Sequence, residues 1–288
     1  MNIITKSKKV GFIGIGGQRC GKNTIYNWLK DHPQISVSSE MELNFFTHHY
    51  DRGYYWYEQN FERNNKTLIS GEMSSSYLYD KSAPKRVKKY FPEMKIILSV
   101  RNPIDRLISA LRMDILKKNI EKREIYYVSD TIDNNPTYLE YGLYAKYLIE
   151  WISIFPRENI FIINFDNMIK NQHSTYTMLC KFLDVDHSYL PSKLNQELNY
   201  SWIPKSSFLL HSQKMVAKAI RNVGMGKLVD GLINIGLKEI INKMNTDDNS
   251  TIINIDDDFE NHLMEYFQDD VQNLSKLMDT DLQKIWFE

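Results

Sequence analysis

The sequence predicts an α/β protein in which a central parallel β-sheet carries helices on both faces. Short apolar runs alternate along the chain with segments of helical apolar spacing, and this alternation is typical of parallel sheets. No stretch has the composition of a linker, so we expect a single domain over residues 1–288. The expected strands cover residues 10–15, 35–37, 68–70, 96–100 and 160–165.

The segments between these runs repeat apolar residues every three or four positions, as amphipathic helices do. The aromatic and charged stretch at 47–66 is expected to be a loop with at most one helical turn, and the Asn- and Asp-rich stretch at 245–258 another loop. The expected helices cover residues 23–30, 83–90, 104–118, 138–155, 175–183 and 259–278.

Composition narrows the functional classes. Lys and Arg total 36 and Asp and Glu total 36, and this neutral balance argues against a broad nucleic-acid-binding surface. The two cysteines, Cys20 and Cys180, are too few for a disulfide framework, which favours a reducing, cytoplasmic location. No apolar run approaches the ~18 residues of a membrane helix. We therefore expect a cytoplasmic protein without an integral membrane segment.

The first strand, VGFIGI, runs directly into GGQRCGKNTIYNWL. Glycines allow backbone N–H groups to close around an anion, and the N-terminus of the following helix adds its positive dipole end. Arg19 and Lys22 lie within this segment and supply cationic side chains. The order of strand, glycines, cations and helix predicts a P-loop-type phosphate site.

The loop alone permits two identities. Gly16, Gly21 and Lys22 fit the G-x-x-x-x-G-K pattern of Mg²⁺-dependent kinases, although Asn23 stands where Ser or Thr would bind the metal. The letters GGQRCG also resemble the loop of sulfotransferases that use 3′-phosphoadenosine 5′-phosphosulfate (PAPS), whose usual form is G-x-Q-K-x-G-T-T. Both identities remain open at this point.

A second segment, KIILSVRNPIDRLISALRMD, places Arg101 at a strand end and Pro103 at the first position of a helix, with Asn102 as its cap. Ser109 follows two turns along that helix. An arginine and a serine so placed can hold a phosphate through charge-assisted hydrogen bonds. The alternative is a simple ion pair between Arg101 and Asp105 on the surface.

The whole segment resembles the sulfotransferase signature R-[ND]-P-x-x-R-x-x-S, whose arginine and serine grip the 3′-phosphate of PAPS. The chain as a whole resembles PAPS-dependent sulfotransferases, nearest the heparan-sulfate and bacterial glycan branch. The resemblance implies that Arg101 and Ser109 bind the 3′-phosphate, with Lys205 and Ser206 closing over the nucleotide. Further matching stretches are HPQISVSSEMELNFF, RGYYWYEQNF, GEMSSSYLYDKSAPKRVKKYFPEMKIIL and the closing LMEYFQDDVQNLSKLMDTDLQKIW.

For the other end of the donor, the resemblance implies that the loop grips the 5′-phosphosulfate and that Arg19 also acts in catalysis. Glu42 takes the glutamate position of the family's K-E-x-x-F-F motif, here MELNFF, and is the expected general base. Glu40, His48 and His49 are the rival bases. The loop residues in question are Arg19, Cys20, Gly21, Lys22, Asn23 and Thr24.

Several positions depart from the family pattern. In the loop, Arg19 replaces the usual lysine, and Lys22 and Asn23 replace the usual Thr-Thr; we expect Lys22 to restore part of a point charge near the donor. Met41 and Met73 stand where many members carry lysines near the acceptor. The departures keep open a PAP-binding protein without transfer activity, beside the kinase alternative. The expected function is nevertheless sulfonate transfer from PAPS to a hydroxyl or amine of a small-molecule or glycan acceptor. No metal is expected, because PAPS needs no metal bridge between phosphates and the histidines lack metal-ligand spacing.

Overall fold

The computed structural model describes residues 10–116, 131–132, 134–194, 255 and 257–288 of the 288-residue chain. Within these residues five strands form one parallel sheet: β1 (Phe12–Gly16), β2 (Ile35–Val37), β3 (Ile69–Met73), β4 (Lys95–Val100) and β5 (Ile160–Asn164). Their order across the sheet is β2-β3-β1-β4-β5, so the first strand is central. From β1 the chain goes to the edge strand β2, returns to β3 between β2 and β1, and then crosses to β4 and β5 on the other side.

Helices connect and cover the strands. The described α-helices are α1 (Lys22–Asp31), α2 (Gly53–Glu58), α3 (Ala83–Tyr90), α4 (Pro103–Leu116), α5 (Thr137–Glu140), α6 (Tyr144–Ile154), α7 (Phe165–Lys170), α8 (Gln172–Leu183), α9 (Asp257–Met278) and α10 (Leu282–Phe287). Short 3₁₀ turns lie at Tyr50–Arg52, Ser75–Tyr77 and Arg157–Asn159.

Burial of the central strand shows that both faces of the sheet are covered. Phe12 belongs to an apolar cluster with Trp28 of α1 and Leu179 of α8. Side chains alternate across a strand, so Ile13 and Ile15 point to the opposite face, and both are also fully buried. The predicted α/β class with a parallel sheet between two layers is confirmed.

The expected strands and helices are present, with shifts at their ends, and residues 117–118 of the helix expected at 104–118 lie outside the described residues. The stretch expected to be a loop at 47–66 holds more than one helical turn, because a 3₁₀ turn at Tyr50–Arg52 runs into α2. Of the loop expected at 245–258, residues 245–254 and 256 lie outside the described residues, and 257–258 belong to α9.

One expected helix is broken. The helix expected at 138–155 is two helices, because the chain turns at Gly142 and α6 starts afresh after it. Asp270 of α9 accepts bonds from the N–H groups of Ala145 (3.0 Å) and Lys146 (2.8 Å) and so caps that new start. This cap comes from the far end of the chain, and local spacing does not indicate it.

The last strand ends one residue before the predicted position. The Asn164 side chain accepts from the N–H groups of Asp166 (2.9 Å) and Asn167 (3.1 Å), which caps α7 and makes Phe165 its first residue. The sequence reasoning did not predict this short helix. It places Phe165 at the carboxyl edge of the sheet, where the Phe165 ring lies against the Arg101 guanidinium.

Contacts divide the chain into two compact units. The first comprises Met1–Leu107, Ile132–Leu198 and Asp257–Glu288 and contains the sheet, while the second comprises Ile108–Thr131 and Asn199–Asp256. The expectation of one domain over residues 1–288 stays a prediction. Of the predicted site residues that the structure describes, Ser109 belongs to the second unit and the others to the first.

Among the residues that the structure describes, no helix is both long enough and apolar enough to cross a membrane. In that same part of the chain, no group of three or more His, Cys, Asp and Glu side chains is placed to hold a metal ion.

Candidate active site

The loop after β1 is held from the neighbouring strand by one residue, Ser99 of β4. The N–H of Gly17 donates to the Ser99 carbonyl at 2.6 Å, and the Ser99 hydroxyl donates to the Cys20 carbonyl at 2.5 Å. Ser99 is fully buried. It fixes both ends of the loop, a role that the sequence reasoning missed because an isolated serine in a strand carries no distinctive pattern.

The loop presents the N-terminus of α1. Gly21 precedes the helix with φ of 81°, and no side chain caps the helix there. The first N–H groups of a helix have no acceptor within it, so they are available to an anion. Arg19 also has a left-handed backbone, with φ of 66°, which is uncommon for a non-glycine residue and often marks functional loops.

Lys22 joins this loop to the predicted base. Its side chain is only 8% exposed, and its Nζ lies 3.2 Å from the Gly17 carbonyl oxygen and 3.4 Å from Oε1 of Glu42. The structure thus places a cation of the phosphate loop against the carboxylate of the MELNFF segment. The two predicted halves of the site, donor loop and base, meet at this ion pair.

Glu42 is held from the opposite side by Ser75, which follows β3. The Ser75 N–H donates to Oε2 at 2.7 Å, and its hydroxyl lies 2.9 Å from Oε1 and 3.0 Å from Oε2. The Glu42 side chain as a whole remains 38% exposed. Ser75 is a second site residue that sequence reasoning missed, although it lies within the quoted GEMSSSYLYD stretch.

The competing base candidates differ from Glu42 in position. Glu40 and His48 are exposed, and the His49 ring packs edge-on against Trp56, with 5.8 Å between ring centroids. Of these candidates, Glu42 forms an ion pair with Lys22, at the start of α1.

Arg101 lies directly after β4, at the same sheet edge as the loop. Its guanidinium lies over the Phe165 ring, 4.9 Å from the centroid, and Nη2 is 3.4 Å from Asp105 Oδ2. The ion pair expected as the alternative is therefore present. However, Arg101 Nε is buried and has no hydrogen-bond partner among the described residues, which leaves a donor for an anion. Asn102 caps α4 as predicted, accepting from Ile104 N–H at 2.9 Å.

The remaining predicted residues occupy varied environments. Cys20 is fully buried, its thiol lies 3.4 Å from the Tyr144 hydroxyl, and burial raises the pKa of that thiol. The thiol also donates to the Gln18 carbonyl within the loop at 3.4 Å, and the Cys20 carbonyl accepts from Ser99. Asn23 is exposed and Thr24 half-buried in the first turn of α1. Ser109 is buried on α4 and belongs to the second unit. The other two predicted contacts, Lys205 and Ser206, lie outside the described residues.

The two methionines that replace family lysines lie in the apolar core. Met73 is fully buried in the cluster that contains Phe12 and Ile97, and Met41 packs against that cluster. A lysine at Met73 would place its ammonium among apolar side chains in this arrangement. Lys22 instead supplies a cation beside Glu42, which agrees with the expectation that it restores a point charge near the donor.

The parallel sheet and the glycine-containing loop between β1 and α1 together define an α/β protein of P-loop type. Residues 12–219 match the family profile of the sulfotransferase domain, and the chain belongs to this family. The resemblance to sulfotransferases noted from the sequence is thereby confirmed.

Relatives of this chain include heparan sulfate glucosamine 3-O-sulfotransferase 6 from Homo sapiens, 26% identical over 161 residues, which are 54% of this chain and 47% of the relative. Heparan sulfate glucosamine 3-O-sulfotransferase 3B1 from Homo sapiens is 28% identical over 162 residues, 54% of this chain and 41% of the relative. The chain spans about half the length of the curated relatives it matches.

A crystal structure of a sulfotransferase from Alicyclobacillus acidocaldarius is similar to this chain with a TM-score of 0.69 and 19% sequence identity. The similarity covers 97% of this chain and 99% of that one. At this identity the comparison supports the fold.

Proposed function

We propose that the protein transfers a sulfonate group from PAPS to a hydroxyl or amine of an acceptor, with a carbohydrate as the favoured class. The observation that carries the proposal is the 3.4 Å approach of Lys22, on the phosphate loop, to Glu42. Transfer requires an anion site and a proton acceptor side by side, and this pair provides both.

The residues present fit an adenine nucleotide with phosphates at both ends. The uncapped N-terminus of α1, with Arg19 and Lys22, offers donors and positive charge for the 5′-phosphosulfate. Arg101, with its unpartnered buried Nε, suits the 3′-phosphate at the neighbouring strand end. Ser109, Lys205 and Ser206 are added to this site by the family resemblance alone.

PAPS, when bound, supplies an activated sulfonate whose S–O bond to the 5′-phosphate breaks as the acceptor oxygen or nitrogen bonds to sulfur. Glu42 takes the proton of that acceptor group. The electron pair of the broken S–O bond stays on the phosphate oxygen of the departing nucleotide. The positive charges of Lys22 and Arg19 stabilise the negative charge that develops on that oxygen. Ser75 fixes the carboxylate orientation through its N–H and hydroxyl.

A carbohydrate acceptor is favoured because the matched relatives are named as heparan sulfate glucosamine sulfotransferases. The accessible Glu42 carboxylate is also suited to a hydroxyl or amine on a soluble sugar chain. A glycolipid or a small metabolite with a free hydroxyl presents the same reacting group. The proposal therefore concerns the reacting group first and the acceptor class second.

A kinase activity is not favoured, since the chain belongs to the sulfotransferase family. Asn23 also occupies the position where a kinase loop needs a Ser or Thr hydroxyl for Mg²⁺.

The test incubates the protein with ³⁵S-labelled PAPS and an extract of its source cell, beside heparan-type oligosaccharides and a glycolipid fraction. A labelled saccharide that remains after PAPS has been removed, and that forms equally well with and without added Mg²⁺, supports the proposal. Label that appears only on the lipid part of an acceptor, and on no sugar, would overturn the carbohydrate class. Absence of any labelled product, with ATP turnover in its place, would overturn sulfonate transfer itself.

A further inference from the structure

A buried carboxylate, Glu72 of β3, lies beneath the segment that carries Glu42. Its side chain is fully buried and accepts from the hydroxyls of Ser74 (2.6 Å), Tyr57 (3.4 Å) and Tyr77. A buried carboxylate is costly unless its oxygens are bonded, and these three hydroxyls satisfy them. The arrangement needs an explanation, because β3 would bury an apolar residue at lower cost.

Two of the three hydroxyls also receive a bond from the base-bearing segment. The N–H of Asn44 donates to the Ser74 hydroxyl oxygen at 2.9 Å, and the N–H of Phe46 donates to the Tyr77 hydroxyl oxygen at 3.3 Å. Each hydroxyl uses its single proton toward Glu72 and its lone pair toward the segment. The carboxylate thus fixes the direction of both hydroxyls, and both hydroxyls hold the backbone of residues 42–46.

The segment needs such an anchor because its backbone is strained. Glu42 has φ of 59° and Asn44 has φ of 51°, both in the left-handed region that non-glycine residues rarely adopt. Such conformations persist only where the surroundings over-determine them. Loss of the anchor would let the segment relax and move the Glu42 carboxylate away from Ser75 and Lys22.

We propose that Glu72 is a positioning residue for Glu42, acting through the hydroxyls of Ser74 and Tyr77. The inference rests on the proposed function, in which Glu42 is the base. In this arrangement Glu72 touches neither donor nor acceptor. It sets where the base lies, and through Ser74 it also ties the segment to β1, since the Ser74 N–H donates to the Gly14 carbonyl at 2.9 Å.

Two tyrosines provide a matched pair of variants. Tyr77 and Tyr57 are both fully buried and both donate to Oε1 of Glu72, but a segment N–H bonds to Tyr77. Tyr77→Phe and Tyr57→Phe therefore remove the same group from the same carboxylate. We expect Tyr77→Phe and Ser74→Ala to lower kcat roughly 10–100-fold with unchanged KM for PAPS. Tyr57→Phe should retain kcat within about twofold of the wild type.

Two further readouts separate positioning from general stability. In a Glu42→Gln background, Tyr77→Phe and Ser74→Ala should cause no additional loss of kcat, since they act through the residue already removed. Amide hydrogen exchange in the ligand-free protein should rise at Asn44 in Ser74→Ala and at Phe46 in Tyr77→Phe, while Tyr57→Phe leaves both amides protected.

Equal losses of kcat in Tyr77→Phe and Tyr57→Phe would overturn the inference. It would also be overturned if Tyr77→Phe and Ser74→Ala lowered kcat as much in the Glu42→Gln background as they do in the wild type. Unchanged amide exchange at Asn44 and Phe46 in both anchor variants would also overturn it. The exchange measurement requires no turnover. It therefore tests the anchor even if the wild-type protein transfers no sulfonate, a result that would refute the proposed function by itself.

Discussion

The Lys22 ammonium lies 3.4 Å from Oε1 of Glu42, and the lysine side chain is 8% exposed while the glutamate side chain is 38% exposed. The pair therefore has an inner, positive member on the phosphate loop and an outer, negative member that faces solvent. A donor phosphosulfate would attract the ammonium from one side while an acceptor approaches the carboxylate from the other. This relationship couples the two halves of the proposed site and motivates the first two predictions.

Lys22→Met should weaken PAP binding about 10–150-fold, because it removes a charge-assisted contact worth ~1.5–3 kcal/mol while keeping the side-chain length. Isothermal titration calorimetry with PAP measures the change. The control is Lys30→Met on the same helix, whose Nζ lies 5.8 Å from the Tyr26 ring centroid, away from the loop. Equal weakening in both variants would show a general charge effect and not a contact by Lys22.

Glu42→Gln should lower kcat by ~10²–10⁴-fold with nearly unchanged PAP affinity, since the amide keeps the shape but cannot take a proton. The measurement is a rate at saturating PAPS, so that a donor-binding defect is not mistaken for a chemical one. Glu40→Gln is the matched control, because Glu40 is exposed on the same segment and carries the same charge. An inactive Glu40→Gln beside an active Glu42→Gln would shift the base to Glu40.

Arg101→Ala should abolish the preference for PAP over ADP. The second phosphate lies on the 3′-hydroxyl in PAP (3′-phosphoadenosine 5′-phosphate) and on the 5′-phosphate in ADP. The Arg101 Nε is proposed to bind the 3′-phosphate, so PAP affinity should fall ~10-fold or more. ADP affinity serves as the internal control and should stay within about twofold of the wild type, because ADP has no 3′-phosphate for Arg101 to bind. A large fall in melting temperature with unchanged PAP affinity would instead assign Arg101 a structural role beside Phe165 and Asp105.

The fold was predictable because its signals are local. Buried parallel strands appear as apolar runs, and the glycines and cations after β1 follow one another in sequence, so the sheet and the phosphate loop needed no tertiary information. Glu42 was predicted as the base through its motif, and that role stays a prediction; the structure places its carboxylate beside Lys22 of the loop region.

The unpredicted parts depend on partners distant in sequence. Ser99 holds the loop from another strand, Ser75 orients Glu42 across 33 positions, and Asp270 starts α6 across 125. The sequence neighbours of these two serines and this aspartate do not distinguish them from ordinary surface residues. Glu72 is the extreme case, since burial of a glutamate in a strand contradicts its ordinary preference and only the surrounding hydroxyls make it favourable.

Gly21→Ala should destabilise the fold by more than backbone strain alone. A Cβ there would lie 2.7 Å from side-chain atoms of Met168 and Phe165, at a φ of 81°. Gly21 lies in the left-handed region, with φ of 81° and ψ of 15°, and this backbone alone costs an alanine about 1–2 kcal/mol. Urea unfolding should give a loss clearly above that value for Gly21→Ala. A loss of only about 1–2 kcal/mol would contradict the packing argument.

Glu72→Gln should flatten the dependence of stability on pH. Burial, with a smaller contribution from the negative charge of Glu42, raises the pKa of Glu72 from its ordinary value of 4.5 to about 7 in the folded protein, although the Ser74, Tyr77 and Tyr57 hydroxyls oppose the rise. Between these two pH values the folded chain retains a proton that the unfolded chain releases. Unfolding free energy therefore falls as pH rises through this window, by up to about 3 kcal/mol in the wild type.

The measurement is the free energy of unfolding in urea at several pH values from 4 to 8, for the wild type and Glu72→Gln, and the quantity of interest is the difference between the two slopes. Glu140→Gln is a control of opposite sign, because bonds from Tyr147 and Lys146 lower the pKa of Glu140. The stability contributed by Glu140 is present at higher pH and is lost as pH falls through its lowered pKa. This variant should therefore lower the free energy of unfolding by a constant amount near neutral pH and change the slope of the curve only in acid. Parallel curves for the wild type and Glu72→Gln between pH 4.5 and 7 would show that Glu72 is already ionised throughout that range and that its three hydroxyl donors outweigh its burial.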